Sequence, residues 1–229
     1  MPSHPYYPPT AAMPNYIPKD KSTLELLSIF TITCSAILAI THKITLANRP
    51  QIPKSDLLTT LWFVLCGFIH LILEGYYSLN FLTLASQQTL LATLWKEYAL
   101  SDSRYLVPNN FVLCMESVTA FLWGPLSFLV AYLVVSEHRF RYPVQGIVSL
   151  GQLYGDVLYF GIAGFDFLVF GIEYSRPERG YFWGYFVFLN AIWIVVPIGL
   201  LWQSVVVTGR AFGVVQKIQT GFVDGKKVL

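Results

Sequence analysis

The residues best suited to chemistry are ionisable side chains embedded in long apolar stretches. In LWFVLCGFIHLILEGYY, His70 and Glu74 lie four residues apart, which places both on one face of a helix. In NFVLCMESVTAFLWGPLS, Glu116 and Thr119 lie three residues apart, again at helical spacing. An ionisable group at the centre of a membrane helix costs about 2.5–3.5 kcal/mol on insertion scales. These side chains therefore need a functional or a structural reason to be there.

Two further apolar stretches carry a polar pair of the same kind. Gln152 and Asp156 lie four residues apart in GQLYGDVLYF, and Asn190 and Trp193 lie three apart in YFVFLNAIWIVVP. If four helices each turn such a stripe inward, the polar groups share one interior cavity. The alternative is that they only form hydrogen bonds between helices. That alternative suits the two glutamates and the histidine least, because purely structural contacts of this kind are usually made by neutral side chains.

The predicted cavity combines acids with aromatic rings. Burial in apolar surroundings favours the neutral, protonated form of a carboxyl group, and that is the form a proton donor needs. Aromatic residues make up 16% of the chain, and a tryptophan face can stabilise a cation by up to about 2 kcal/mol when water is excluded. This combination favours migration of a double bond in a lipid through a carbocation. No phosphate loop, HExxH, GxSxG or metal-ligand spacing competes with it, and we predict no metal site.

The composition supports helices that cross a membrane. Only 12% of the 229 residues are charged, against about 25% in soluble domains, and a net charge of +2 without a basic block excludes a nucleic-acid footprint. Lipid cannot hydrogen-bond open backbone groups, so we predict an all-α polytopic membrane protein, a bundle around an intramembrane cavity. Five windows reach the ~20 residues of a span: Leu24–Ala47, Leu57–Asn80, Asn110–Val135, Val144–Ile172 and Tyr181–Thr208.

The segments outside the spans predict the orientation of the chain. We expect an extended, proline-rich tail over residues 1–22, a transmembrane domain over 23–208 and a tail over 209–229. Alternate connectors carry nine and six of the 15 Lys and Arg residues, and the richer side, with the C-terminus, is expected in the cytosol. The final KKVL at 226–229 has the form of a dilysine retrieval signal, which predicts the endoplasmic reticulum membrane. Two glycines and Asp166 leave the end of the fourth helix open between Phe160 and Ile172.

These segments resemble the emopamil-binding protein family, the EXPERA-domain sterol isomerases. The similar segments are CGFIHLILEGYY, LWKEYALSDSRY, NNFVLCMESVTAFLWGPLS, GQLYGDVLYF and YFWGYFVFLNAIWIVVP, in the family's order, between Trp62 and Pro197. Each runs without gaps, and several contain the rare intramembrane charges. The first span resembles the family only in general character, and residues 161–180 differ from its usual polar loop, so the choice of substrate could differ.

The resemblance implies roles for individual residues. In the family, the positions of His70, Glu74 and Glu116 transfer protons, and those of Thr119 and Asn190 support them. We add Asp156 as a substrate-binding residue, because it extends the polar stripe of the fourth span. The remaining positions implied to face the substrate are Trp193, beside the carbocation, and a sensitive connector at the cavity mouth: Trp95, Tyr98, Asp102, Arg104 and Tyr105.

The same resemblance implies an isomerase that needs no cofactor. A proton from the set His70, Glu74 and Glu116 would be delivered to the Δ8 double bond of a sterol, the cation at position 8 would be held by Trp193 and a carboxylate, and a proton would leave from position 7. We favour the His70–Glu74 pair as donor and Glu116 as base or cation stabiliser, with the order left open. The implied partners are a sterol or other polycyclic lipid, membrane lipids, cationic amphiphilic amines as inhibitors, and a second copy in a homodimer.

Two alternative functions fit the same residues. The first keeps the fold and its acids but isomerises or cyclises a terpenoid. The second is a non-catalytic protein that binds sterols or cationic amines. Conversion of a Δ8-sterol by the purified protein separates both alternatives from the isomerase.

Overall fold

The computed structural model describes residues 4–223, and all regular secondary structure in that range is helical, as predicted. Five of its helices are long and apolar enough to cross a membrane, which confirms the expected number of spans. A short helix lies in the connector between the second and third spans. In chain order the helices are α1 (Thr23–Asn48), α2 (Lys54–Asn80), α3 (Leu90–Tyr98), α4 (Asn110–Val135), α5 (Arg141–Phe170) and α6 (Gly180–Thr220, helical on to Val223).

Local signals in the sequence set several helix ends. The Ser22 hydroxyl accepts from the Glu25 amide at 3.2 Å and begins α1, as expected of an N-cap serine. At the other end of α5, Gly171 adopts the left-handed conformation with φ 67°, which favours glycine and terminates a helix. The fourth span therefore ends at Phe170, inside the interval that the sequence left open, and Asp166 belongs to the helix.

The last helix is longer than the predicted span. The window predicted from hydropathy ends at Thr208, whereas α6 continues as a helix to Val223. The predicted KKVL signal at 226–229 lies outside the described residues.

Three stretches of these helices are wider than an α-helix. Ile69–Glu74 within α2, Thr119–Trp123 within α4 and Gly180–Leu189 at the start of α6 are π-helical. Such segments are rare and occur often at functional sites. The first two pack against each other in the middle of the structure, and both carry residues that the sequence singled out.

The N-terminal segment, the connector of residues 81–109 and the loop of residues 171–179 meet at one end of the helices, here called the connector end. The Tyr6 hydroxyl donates to the Lys96 carbonyl at 3.1 Å, and Lys19 pairs with Glu97 at 2.7 Å. The segment before α1 was expected to extend away as a tail, but in the structure it folds onto the connector with Tyr6 buried. Tyrosines that bury their rings and donate their hydroxyls account for this difference.

The opposite end of the helices, here called the hairpin end, is joined by ion pairs. The two Asp56 carboxylate oxygens accept from the Arg141 guanidinium at 2.7 and 2.8 Å, which ties the start of α2 to the start of α5. Arg49, just after α1, contacts Asp56 at 3.2 Å and also pairs with Glu137. The bidentate contact between Asp56 and Arg141 is the strong form of a charged hydrogen bond. Together, these ion pairs hold the ends of α2, α4 and α5 from which the helices run towards the site.

Candidate active site

A cavity of about 360 Å³ lies among the six helices α1 to α6. Its volume falls in the range of about 300–1,000 Å³ typical of sites for small organic ligands. The predicted site residues that line it are His70, Glu74, Trp95, Tyr98, Tyr105, Glu116, Thr119, Asp156, Asn190 and Trp193. Asp102 and Arg104 do not line it.

His70 is held from both sides. Its Nδ1 atom lies 2.9 Å from each carboxylate oxygen of Glu74, and its Nε2 atom lies 3.0 Å from Nε2 of Gln152. An amide nitrogen can only donate, so in this arrangement the imidazole Nε2 accepts and Nδ1 carries the proton towards Glu74. The ring is almost fully buried. The pair therefore places an imidazole directly beside a carboxyl group inside the membrane-spanning region.

One Glu116 oxygen accepts a hydrogen bond and the other is free. The Tyr105 hydroxyl donates to its Oε1 atom, whereas the buried Oε2 atom has no hydrogen-bond partner in the described part of the chain. Burial, together with the charge of Glu116, raises the pKa of Tyr105 well above its ordinary value, so the phenol keeps the proton that it donates. Trp95 stacks on the Tyr105 ring with 4.5 Å between centroids. The Oε2 atom is therefore free to accept a proton or to pair with a positive charge.

The π-helical segments explain how these groups come together. His70 and Glu74 both belong to the π-helical turn of α2, and Thr119 begins that of α4. The Leu73 carbonyl in the first turn accepts from the Trp95 indole N–H at 2.8 Å, which ties α3 to the wall of the cavity. The Thr119 hydroxyl donates to its own helix, to the Met115 carbonyl at 2.8 Å.

A hydrogen-bonded chain of phenols runs from the cavity wall to a buried ion pair behind it. Asn190 donates to the Tyr98 hydroxyl at 2.8 Å, Tyr98 lies 3.5 Å from the Tyr159 hydroxyl, and Tyr159 donates to Asp102. The Arg104 guanidinium binds both oxygens of Asp102, with its Nε atom 2.9 Å from Oδ1 and its Nη2 atom 2.6 Å from Oδ2. Both charged side chains are fully buried. They support the wall from outside the cavity.

Tryptophan supplies the aromatic face that the sequence predicted. The Trp193 ring lies 6.4 Å from the His70 ring and 5.5 Å from the Trp62 ring. The indole N–H groups of Trp62 and Trp193 are buried without a hydrogen-bond partner among residues 4–220. An electron-rich face next to an acid and a base is able to stabilise a transient cation.

Among the lining residues outside the predicted site set, three carry an N–H or O–H group: Gln152, Tyr159 and Trp62. A signal for two of them was available, since Gln152, Asp156 and Tyr159 lie at i, i+4 and i+7 and share one face of α5. No local pattern marks Trp62. Its position in the wall depends on how α2 turns against α6.

These features define a polytopic helical membrane protein with an acid-lined cavity of ligand size. A sequence model of the family described as EXPERA (EXPanded EBP superfamily) matches residues 90–204. The chain is 42% identical over 198 residues to 3-beta-hydroxysteroid-Delta(8),Delta(7)-isomerase of Mus musculus, covering 86% of this chain and 85% of that protein. The protein of the same name from Cavia porcellus is 38% identical over 206 residues, 89% of this chain and 88% of its own length.

A relative with another name is isomeliandiol synthase of Ailanthus altissima, 40% identical over 145 residues, which is 63% of this chain and 67% of that protein. The chain belongs to the EBP family of EXPERA proteins. The resemblance that the polar segments indicated is thereby confirmed.

Proposed function

We propose that the protein is a membrane-embedded sterol isomerase that moves a ring double bond from Δ8 to Δ7. The observation that carries this proposal is the convergence of the His70–Glu74 pair and the free Glu116 oxygen on one ligand-sized cavity. Relatives that match over most of their length are named for this reaction. Sterols and the surrounding lipids are accordingly its proposed partners.

The reaction needs one proton in and one proton out. Protonation of the Δ8 double bond at position 9 places a tertiary cation at position 8, and loss of the proton at position 7 forms the Δ7 bond. Electrons and atoms balance without an oxidant, a reductant or a cofactor. In our assignment the His70–Glu74 pair delivers the proton from its protonated state, with the acidic proton on the Glu74 carboxyl and His70 neutral, because Nδ1 of His70 holds that carboxyl at 2.9 Å. Glu116 stabilises the cation and receives the departing proton, because one of its oxygens is unpaired.

The surroundings must stabilise the carbocation during its short lifetime. Trp193 presents its ring beside His70, and a desolvated cation–π contact is worth up to about 2 kcal/mol. Asn190, fixed by Tyr98 and by the Phe186 carbonyl at 2.6 Å, supports the adjoining wall. Preorganised groups of this kind lower the barrier because they do not have to reorient as charge develops.

Cationic amphiphilic amines are expected to inhibit the protein as mimics of this cation. The ammonium group would pair with Glu74 or Glu116 while its apolar body fills the cavity. If Glu116 is the counter-ion, Glu116→Gln weakens amine binding by roughly 30-fold to several thousand-fold, as loss of one partner of a buried charge pair costs about 2–5 kcal/mol. Unchanged affinity would assign the role to Glu74 instead.

A terpenoid substrate is the second candidate, because a relative named isomeliandiol synthase is 40% identical over 145 residues. The same acids could protonate a double bond in a triterpenoid. The sterol substrate is preferred because the relatives named for it match over 86–90% of this chain rather than 63%.

We further propose residence in the endoplasmic reticulum membrane, with the C-terminus in the cytosol, and assembly as a homodimer. The orientation is supported by the excess of Lys and Arg on the hairpin end and the C-terminal segment. Protease protection of a C-terminal epitope in sealed microsomes tests the orientation, and cross-linking in native membranes tests the dimer.

The deciding experiment expresses the chain in cells that accumulate Δ8-sterols and follows the sterol profile. Conversion to Δ7-sterols by the wild type, and its loss in His70→Ala and Glu116→Gln at equal protein levels, is the expected result. Purified protein is then given a Δ8-sterol or a triterpenoid. No conversion of the sterol by folded wild-type protein would overturn the proposal, and conversion of the triterpenoid alone would favour the second candidate.

A further inference from the structure

Asp156 is a buried acid that the proton-transfer step does not use. It lines the cavity from α5 and is 9% exposed. Its Oδ2 atom is buried and has no hydrogen-bond partner among the described residues. A carboxyl group left alone in apolar surroundings is costly unless something binds it. A ligand in the cavity is the available source of that partner.

The position of Asp156 relative to His70 is set by α5. Gln152, which contacts His70 Nε2 at 3.0 Å, lies four residues before Asp156 on the same helix face. One helical turn separates them, about 6 Å along the axis, with Asp156 nearer the connector end. In a steroid nucleus, the carbon that bears the 3-hydroxyl is separated from the Δ8 bond by two fused six-membered rings, a span comparable to that turn.

A carboxyl group and a hydroxyl are also complementary in their hydrogen bonding. A neutral carboxyl group has one O–H donor and one carbonyl acceptor, and a hydroxyl likewise donates once and accepts through its lone pairs. The two can therefore satisfy each other completely in a dry site. A tertiary cation has no such donor, and an ammonium group requires an ionised partner.

We propose that Asp156 binds the 3-hydroxyl of the sterol and thereby sets which ring carbon faces His70 and Glu116. This inference rests on the proposed isomerase function and adds to it the orientation of the substrate. The hydroxyl points towards the connector end, and the Δ8 bond lies under the proton-transfer groups on α2 and α4. Asp156 is a specificity residue in this assignment, and a lipid without the hydroxyl binds without a fixed register.

The experiment crosses enzyme variants with substrate variants. Purified wild type, Asp156→Asn and Asp156→Leu are each given cholest-8-en-3β-ol and its 3-deoxy analogue cholest-8-ene, and kcat/KM is measured for both. The wild type should prefer the hydroxylated sterol by roughly 10- to 100-fold, the range that follows from leaving one buried polar group unpaired. Asparagine keeps a donor and an acceptor, so Asp156→Asn should retain most of that preference. In Asp156→Leu the ratio should fall to about one.

Turnover of the 3-deoxy analogue serves as the folding control, since it makes no use of Asp156. Asp156→Ala repeats the leucine measurement with a side chain too small to crowd the cavity. An undiminished ratio in both apolar variants overturns the assignment. So does a loss of turnover of both substrates in Asp156→Asn, which would place Asp156 in the proton chemistry or in cation pairing.

The two proposals fail in different ways. Wild-type protein that converts neither substrate contradicts the isomerase function. Wild-type protein that converts both equally well contradicts only the hydroxyl contact.

Discussion

Tyr105→Phe isolates one hydrogen bond of the site. The substitution keeps the ring that stacks on Trp95 with 4.5 Å between centroids and removes only the hydroxyl that donates to Glu116 Oε1. Because Glu116 Oε2 has no partner among the described residues, the carboxyl then loses its one hydrogen bond there. A hydrogen bond to a charged group contributes about 1.5–3 kcal/mol. At 1.36 kcal/mol per factor of ten, kcat/KM should fall by roughly 10- to 150-fold.

Tyr77 offers a matched control for this substitution. Tyr77 packs on Tyr105 with 5.1 Å between ring centroids, and its hydroxyl is buried without a hydrogen-bond partner among residues 4–220. Tyr77→Phe removes an equivalent atom and no hydrogen bond. Sterol turnover and thermal stability are measured for both variants in the same detergent. We expect the control to keep wild-type activity and to be as stable as the wild type or more so.

The tyrosine hydroxyl also predicts a pH dependence. Burial, and secondarily the charge of Glu116, raise the pKa of Tyr105 well above its ordinary value, so folding favours the neutral phenol. That contribution to stability is fully present below about pH 10, the unfolded value, and is lost as the pH rises towards the folded one. The Tyr105 bond should therefore hold from pH 6 to 9, and the activity ratio of Tyr105→Phe to wild type should stay constant there. Equal activities of Tyr105→Phe and wild type would refute the positioning role of the hydroxyl.

Two further substitutions test the packing around the cavity. Asp102→Asn leaves the fully buried Arg104 guanidinium without its ion-pair partner and should destabilise the protein by about 3–5 kcal/mol, seen as a lower melting temperature even with a bound amine. Gly151→Ala places a methyl group 2.4 Å from the Trp123 indole and should lower the free energy of unfolding by about 1–3 kcal/mol through overpacking. In the control, Gly161→Ala, the methyl group meets no atom within 4 Å. This control should leave the melting temperature within a degree or two of the wild-type value.

The structure places two residues of the connector LWKEYALSDSRY differently from the prediction. Its residues were expected to lie at the cavity mouth and face the substrate, but Asp102 and Arg104 form an ion pair behind the wall. An acid and a base two residues apart have the same sequence signature whether they face a ligand or each other. Only the packing of α3 and the neighbouring turn against Tyr159 decides between the two.

What the sequence determined by itself is the set of spans and the residues that share a helix face. Hydropathy and helical spacing are local properties, so the five spans and the pairs His70–Glu74 and Gln152–Asp156 could be predicted. The tertiary structure alone decided that Gln152 meets His70 across 82 residues, and that Glu116 keeps one oxygen free while Tyr105 takes the other. Contacts between helices depend on how each helix turns and on the widened π-helical turns, which arise from packing rather than from any short pattern of residues.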